Sequence, residues 1–200
     1  MKKKVLLATL GVAIASGTAP SLAQDNPFMV RLRAVSLDWE NGKKDGLPAI
    51  AAQNKVIPEV DISYFFTPNI AAELVLTYPQ KVDITLDGDD IGNVKALPPS
   101  LLLQYHFTQF GQFKPYIGAG VNYTLFSKRN NLAGGAATVE RSSLGYALQA
   151  GFDYMLDKNW GVNVDLKYAK IETDVTIGGN KAGKLDLSPT MLGIGVTYKY

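Results

Sequence analysis

The sequence predicts an all-β fold: an eight-stranded antiparallel transmembrane β-barrel with short periplasmic turns and long extracellular loops. Three observations predict it. Eight segments after Gln24 alternate apolar and polar side chains with a period of two, and no window there carries a convincing helical stripe. The connections between the segments run long and short in turn. Aromatic residues gather where the segments meet those connections.

In chain order, residues 2–4 are three lysines, residues 5–15 are apolar apart from Thr9 and Gly11, and Ser21-Leu22-Ala23 offers small residues at both flanks of a cleavage site. A basic head, a short apolar body and a small-x-small site make a secretory signal peptide. Residues 1–23 are therefore expected to be removed and residues 24–200 to form the barrel. A spanning helix would need about 20 apolar residues, more than this stretch holds. Cleavage removes Lys2, Lys3 and Lys4 and no acid, taking 20 basic against 18 acidic groups to 17 against 18.

The first strand is read over residues 28–36, where Val30, Leu32 and Ala34 alternate with Met29, Arg31 and Arg33. The second, 56–66, sets Val60, Ile62, Tyr64 and Phe66 against Glu59, Asp61 and Ser63. In the third, 70–78, Leu74, Leu76 and Tyr78 oppose Glu73, Val75 and Thr77. The fourth, 99–107, places Leu101, Leu103 and Tyr105 opposite Leu102, Gln104 and His106. The fifth, 113–126, alternates Ile117, Val121 and Tyr123 with Tyr116, Gly118 and Gly120. Residues 143–154 follow, with Leu144, Tyr146 and Leu148 against Gly145, Gln149 and Asp153. The seventh, 160–168, puts Val162, Val164 and Leu166 opposite Asn163, Asp165 and Lys167. The eighth, 191–200, turns Leu192, Ile194 and Val196 away from Gly193, Gly195 and Thr197.

One parity is apolar throughout, and the other carries the charges. A soluble barrel would bury the first face, whereas an outer-membrane barrel turns it to lipid and encloses the second. Segment length favours lipid: these run about nine or ten residues, the span of a tilted membrane strand, where soluble strands average about 5–6. So does the spacing. Connections 41–55, 79–98, 127–142 and 170–184 are long, while 67–69, 108–112 and 157–159 are short. Phe28, Tyr64, Tyr105, Phe113, Trp160 and Tyr198 mark the short-turn end, and Tyr78, Tyr123, Tyr146 and Tyr168 the other, as two interfacial girdles would.

Composition excludes several chemistries. The absence of cysteine removes disulfides, thiolate metal sites and thiol nucleophiles, and a single histidine removes multi-histidine metal centres. No cofactor or metal is expected. The near-neutral balance argues against nucleic acid as a partner. Residues 83–90 (DITLDGDD) space acids closely but lack a full calcium-loop pattern, and are read as a solvated loop.

Particular strings carry a resemblance. Leu97-Pro98-Pro99-Ser100-Leu101, residues 114–124 (KPYIGAGVNYT), and Gly151-Phe152-Asp153-Tyr154 followed by Trp160 resemble the OmpW family of outer-membrane proteins, over essentially the whole mature chain. The resemblance implies a narrow, largely hydrophobic lumen that binds or passes small apolar molecules, as in relatives that take up alkanes. It places Val75 at an apolar gate position and Lys167 where a family member carries that gate's aromatic partner. The ammonium departs from that pattern and points to pairing with Asp165, Glu73 or Asp61. Gly195-x-x-Tyr198-x-Tyr200 is similar to the C-terminal signal read by the barrel-assembly machinery.

Eight strands leave room for packed side chains or one small ligand, not a general diffusion pore. Arg31 and Arg33 lie on the strand beside Glu59 and Asp61; with Glu73 and Asp165 they form either a salt-bridged plug or a selectivity element. Gly118, Gly120, Gly145, Gly151, Gly193 and Gly195 open a side pocket or relieve crowding. The expectation is a monomeric, non-enzymatic barrel among outer-membrane lipids, passing small hydrophobic solutes. The alternatives are a lipid-modifying enzyme or a structural or receptor barrel with a plugged lumen. For the enzyme, His106 is the sole candidate base, read instead as a girdle-level polar residue. Ser100 lies about 20 Å away along the same strand, and Ser63 is on a strand that does not neighbour it.

Overall fold

A computed structural model of the chain describes residues 26–39, 50–52, 54–86, 89–127 and 132–200. The expected signal peptide lies outside the described residues. Fourteen strands are present among them: β1 (Phe28–Trp39), β2 (Ile50–Ala52), β3 (Lys55–Phe65), β4 (Ile70–Leu76), β5 (Gln80–Leu86), β6 (Asp89–Leu97), β7 (Ser100–His106), β8 (Phe113–Ser127), β9 (Ala137–Val139), β10 (Ser142–Met155), β11 (Trp160–Ala169), β12 (Glu172–Ile177), β13 (Asn180–Asp186) and β14 (Pro189–Lys199). Eight of them, β1, β3, β4, β7, β8, β10, β11 and β14, pair antiparallel in a closed ring. The ends of the chain meet where Met29 opposes Lys199 and Trp39 opposes Pro189. Closure is what lipid demands, because each unpaired backbone group there costs several kcal/mol and a ring has no edge.

The alternation read from sequence sets the two faces. Leu101, Leu103, Ile117, Leu148, Leu166 and Ile194 are each half or more exposed on the outside. Arg31, Asp61, Glu73 and Lys167 are buried inside. Apolar out and charged in is the membrane arrangement.

Aromatic rings collect at both rims. At the lower rim Phe28 meets Tyr64 at 5.2 Å, Tyr105 meets Phe107 at 5.0 Å and Trp160 meets Tyr198 at 4.7 Å between centroids. At the upper rim Tyr146 and Tyr168 lie 6.0 Å apart.

The lower turns are short and locally hydrogen-bonded. In the turn from β10 to β11, the amide of Leu156 donates to the Trp160 carbonyl at 2.8 Å. Asp157 Oδ1 accepts from the Trp160 amide at 2.7 Å and the Asn159 amide at 2.8 Å. The Trp160 amide first, and the Asn159 amide with it, hold the Asp157 carboxyl below the usual carboxylate range. A depressed pKa means the turn is stabilised above the ordinary aspartate value and loses that support as pH falls through the depressed one. In NMR titrations the Asn159 and Trp160 amide proton shifts are therefore expected to move together, with a midpoint below that of an unstructured aspartate. Titration at the ordinary value would show that the turn does not hold the carboxylate.

The upper connections differ from expectation. They are not plain loops but carry short hairpins that prolong the wall. β5 and β6 pair with each other, β2 adds to β5, and β6 continues on β8 through Lys95–Ser127, Ala96–Phe126 and Leu97–Leu125. Separately, β12, β13 and β9 form a three-stranded sheet. Residues 83–86 belong to β5 rather than to a solvated loop. The reason is apolar alternation masked by the acids: Val82, Ile84 and Val94 are buried in the same cluster as Trp39, Phe126, Val175 and Leu187. That cluster caps the barrel from above. Residues 87 and 88 lie outside the described residues.

Candidate functional site in the lumen

The interior is layered, and strand register places each layer. Arg31 on β1 lies opposite Asp61 on β3, and Arg33 lies opposite Glu59. Ser63 opposes Glu73 on β4, and Asp153 on β10 opposes Asn163 on β11. These positions form one girth of the barrel, so side chains from several strands converge.

Arg31 is fully buried and grips Asp153 with two bonds, Nε to Oδ1 at 3.0 Å and Nη2 to Oδ2 at 2.7 Å. Its Nη1 reaches Asp61 at 3.3 Å, Ser63 at 3.3 Å and Glu73 at 3.2 Å. Arg33 pairs with Asp61 at 2.5 Å, Glu59 at 3.1 Å, Glu73 at 3.3 Å and Asp165 at 3.3 Å. Neutral groups complete the layer. The Tyr116 hydroxyl donates to Asp165 at 2.8 Å, the Gln149 amide donates to the same oxygen at 2.7 Å, and Thr197 donates to Asp153 at 2.5 Å. A planar guanidinium with five donors suits this role better than an ammonium. Buried charge of this density is tolerable because nearly every atom has a partner. Glu73 Oε2 is an exception.

Lys167 sits one step higher. Its Nζ donates to Glu59 at 2.9 Å and lies 3.9 Å from Asp165 Oδ1. Asp165 was among its expected partners, but the closer one is Glu59, which reaches it across the lumen from β3. Above this pair the interior turns apolar. Leu37, Ile57, Val75, Phe126, Ile171 and Leu187 are among the residues that line an upper chamber whose floor carries Glu59 and Lys167. Val75 and Lys167, the two positions implied by resemblance, thus face the same chamber. The space within it open to a water centre is about 20 Å³. That holds about one water, since roughly 10–15 Å³ is the minimum.

Residues outside the expected charge network complete the layer: Asp153, Tyr116, Asn163 and Gln149. The signal was available, since each stands on the inward parity of its strand. His106 is corrected from the girdle to the interior. It is buried, its Nε2 pairs with Gln104 Oε1 at 2.9 Å, and its ring lies 4.8 Å from Phe65 and 5.1 Å from Tyr116. Inward parity puts it there, and no hydroxyl bonds to it among the described residues.

The glycines on the inward parity make space for this packing. A Cβ on Gly151 would stand 2.6 Å from the Tyr116 hydroxyl, and one on Gly195 would stand 2.7 Å from Arg33 Cγ. They give room to Tyr116 and Arg33 and to the backbone of the neighbouring strands, where a Cβ would stand 2.5 Å from the Val164 carbonyl oxygen and 2.1 Å from that of Leu32.

A closed eight-stranded ring with an apolar girdled exterior, a charged interior, short turns below and hairpins above is an outer-membrane β-barrel. The OmpW family model matches residues 29–200, and the chain belongs to the OmpW family. It is 42% identical to the uncharacterized outer-membrane protein y4mB of Sinorhizobium fredii, covering 95% of this chain and 90% of that one. It is 32% identical to outer membrane protein W of Vibrio cholerae, covering 98% of this chain and all of the relative. The crystal structure of OprG from Pseudomonas aeruginosa superposes with a TM-score of 0.71 at 29% identity, over 86% of this chain and 95% of that chain.

Proposed function

We propose that the barrel binds small hydrophobic molecules in its upper lumen and passes them across the outer membrane, and that it is not an enzyme. The observation that carries this reading is the division of the lumen. An apolar chamber lies on the outer side of the lumen beneath the cap, and a dense ion-paired layer closes it below. Apolar solutes gain by entering such a chamber, while the charged layer blocks an axial exit.

In this mechanism the solute enters between the outer hairpins, displaces the packed side chains of the chamber and leaves sideways above the charged layer. Val75 and the Lys167–Glu59 pair act as the gate that turns it. The seam beside Pro98 and Pro99 supports a lateral exit. Proline lacks an N–H, and the ladder between β4 and β7 stops at the Val75–Ser100 pair. On the other side of β7, Asn122 of β8 donates to the Pro98 carbonyl at 3.3 Å and the Pro99 carbonyl at 3.2 Å. The barrel is proposed to act as a monomer and to be inserted by the barrel-assembly machinery through Tyr198 and Tyr200.

A second reading, a structural barrel with a permanently filled lumen, draws on the small free volume of the chamber. Octane uptake separates the two. A deletion strain carrying the protein is expected to take up octane faster than the strain without it. The paired change Glu59→Gln with Lys167→Met replaces the floor's ion pair with neutral groups. It is expected to tighten octane binding about tenfold, since that corresponds to only about 1.4 kcal/mol. Equal uptake with and without the protein, together with no measurable octane binding, would favour the filled barrel.

A further inference from the structure

Below the charged layer the barrel opens into a second cavity that the upper-lumen reading does not use. It holds about 350 Å³ and lies between the short turns. Its inner wall is apolar: Met29 and Phe65 line it, and with Ala71 they form a cluster separate from the upper core. Three lysines stand around it, Lys114, Lys158 and Lys199. Among the described residues Lys114 Nζ donates to the Thr108 carbonyl alone, at 3.0 Å, and Lys199 Nζ lies 4.8 Å from the centre of the Phe65 ring. None of the three forms an ion pair with an acid among the described residues.

The acids lining the cavity are Asp153 and Asp157. Asp153 is taken by the two-bond grip of Arg31, and Asp157 accepts its two bonds from its own turn. Among the described residues the mouth therefore carries three ammoniums without an ion pair beside one exposed carboxylate, Asp157. Behind that positive rim lies an apolar wall that ends blindly at the ion-paired layer.

We propose that this periplasmic vestibule is a binding site for an amphipathic anion: an acidic head held by Lys114 and Lys199, with an acyl chain lying against Met29 and Phe65. Both halves of the site are needed. An ammonium rim alone would take any small anion, and an apolar wall alone would take any oil. Lys199 joins them, because its ammonium lies over the Phe65 ring that forms part of the apolar wall. The charged layer separates this site from the upper chamber, so it stands whether or not solutes pass above.

The test uses the full barrel in nanodiscs of zwitterionic lipid with decanoate as probe. Saturable decanoate binding is expected, with decanol and acetate each at least about tenfold weaker because each lacks one half of the required chemistry. Lys114→Gln with Lys199→Gln should weaken decanoate by about tenfold or more. Lys184→Gln, on β13 at the far end, should leave it unchanged. Each variant's fold is checked by the electrophoretic shift between folded and boiled barrel, and Lys114→Arg supplies a variant that keeps the charge and should retain binding. Replacing part of the lipid with phosphatidylglycerol distinguishes the source of the ligand. Competition with decanoate assigns the site to an anionic lipid head with its chain, and the absence of competition assigns it to a free acyl carboxylate; both sustain the proposal. Decanol binding as tightly as decanoate, or lysine variants binding like the parent, would overturn it.

Discussion

Replacing Arg31 with alanine is expected to lower the stability of the folded barrel by about 3–5 kcal/mol, the range for removing one partner of a buried ion pair. The guanidinium is fully buried and touches Asp153, Asp61 and Glu73 together. Without it three carboxylates lose a cation, and only Arg33 and Lys167 remain to serve the acids of the layer. The layer already holds five carboxylates, Glu59, Asp61, Glu73, Asp153 and Asp165, against Arg31, Arg33 and Lys167. Lysine in its place restores charge but not the two-bond grip on Asp153, so Arg31→Lys should fall between parent and alanine. Reversible urea unfolding in lipid vesicles, followed by band shift, measures the difference. A loss below about 1 kcal/mol, the ordinary cost of an exposed pair, would show that Arg31 does not hold the layer together.

The second large effect concerns the outer face. Ile194 lies at the middle of β14, opposite Ala34 on β1 and Val164 on β11, and is 61% exposed. Arginine there would place a guanidinium against the hydrocarbon midplane, at an expected cost of about 2–4 kcal/mol. The same substitution at Val56, also outward but next to Lys55 at the upper end of β3, should cost only about 0–1 kcal/mol. Equal costs at the two sites would mean that the outward face does not meet a hydrocarbon core of graded depth.

Much of this architecture was legible in the residues. The period-two pattern located all eight barrel strands, and their parity separated the lipid face from the lumen face. Neighbouring strands with opposite charge at matched heights placed Arg31 and Arg33 beside Glu59 and Asp61. What escaped was long-range convergence. Asp153 meets Arg31 only after the ring closes, and Lys167 meets Glu59 only across the lumen. Parity says that a side chain points inward but not how far it reaches or at what height it arrives. The upper hairpins were hidden for another reason. Val82 and Ile84 alternate with Lys81, Asp83 and Thr85 as a strand should, but the acidic run that follows gave the segment the composition of a solvated loop. Their burial depends on a cap assembled from three separate connections, which no local window contains.

The ion-paired layer also bears on how the cell can use this protein. Arg31, Asp61 and Glu73 have no solvent exposure, and the chamber above them has room for about one water. On the proposed reading such a partition would keep ions and small polar solutes from the barrel axis. Copy number would then not be limited by leakage, and a cell could crowd its outer membrane with these barrels while keeping the barrier's electrical resistance.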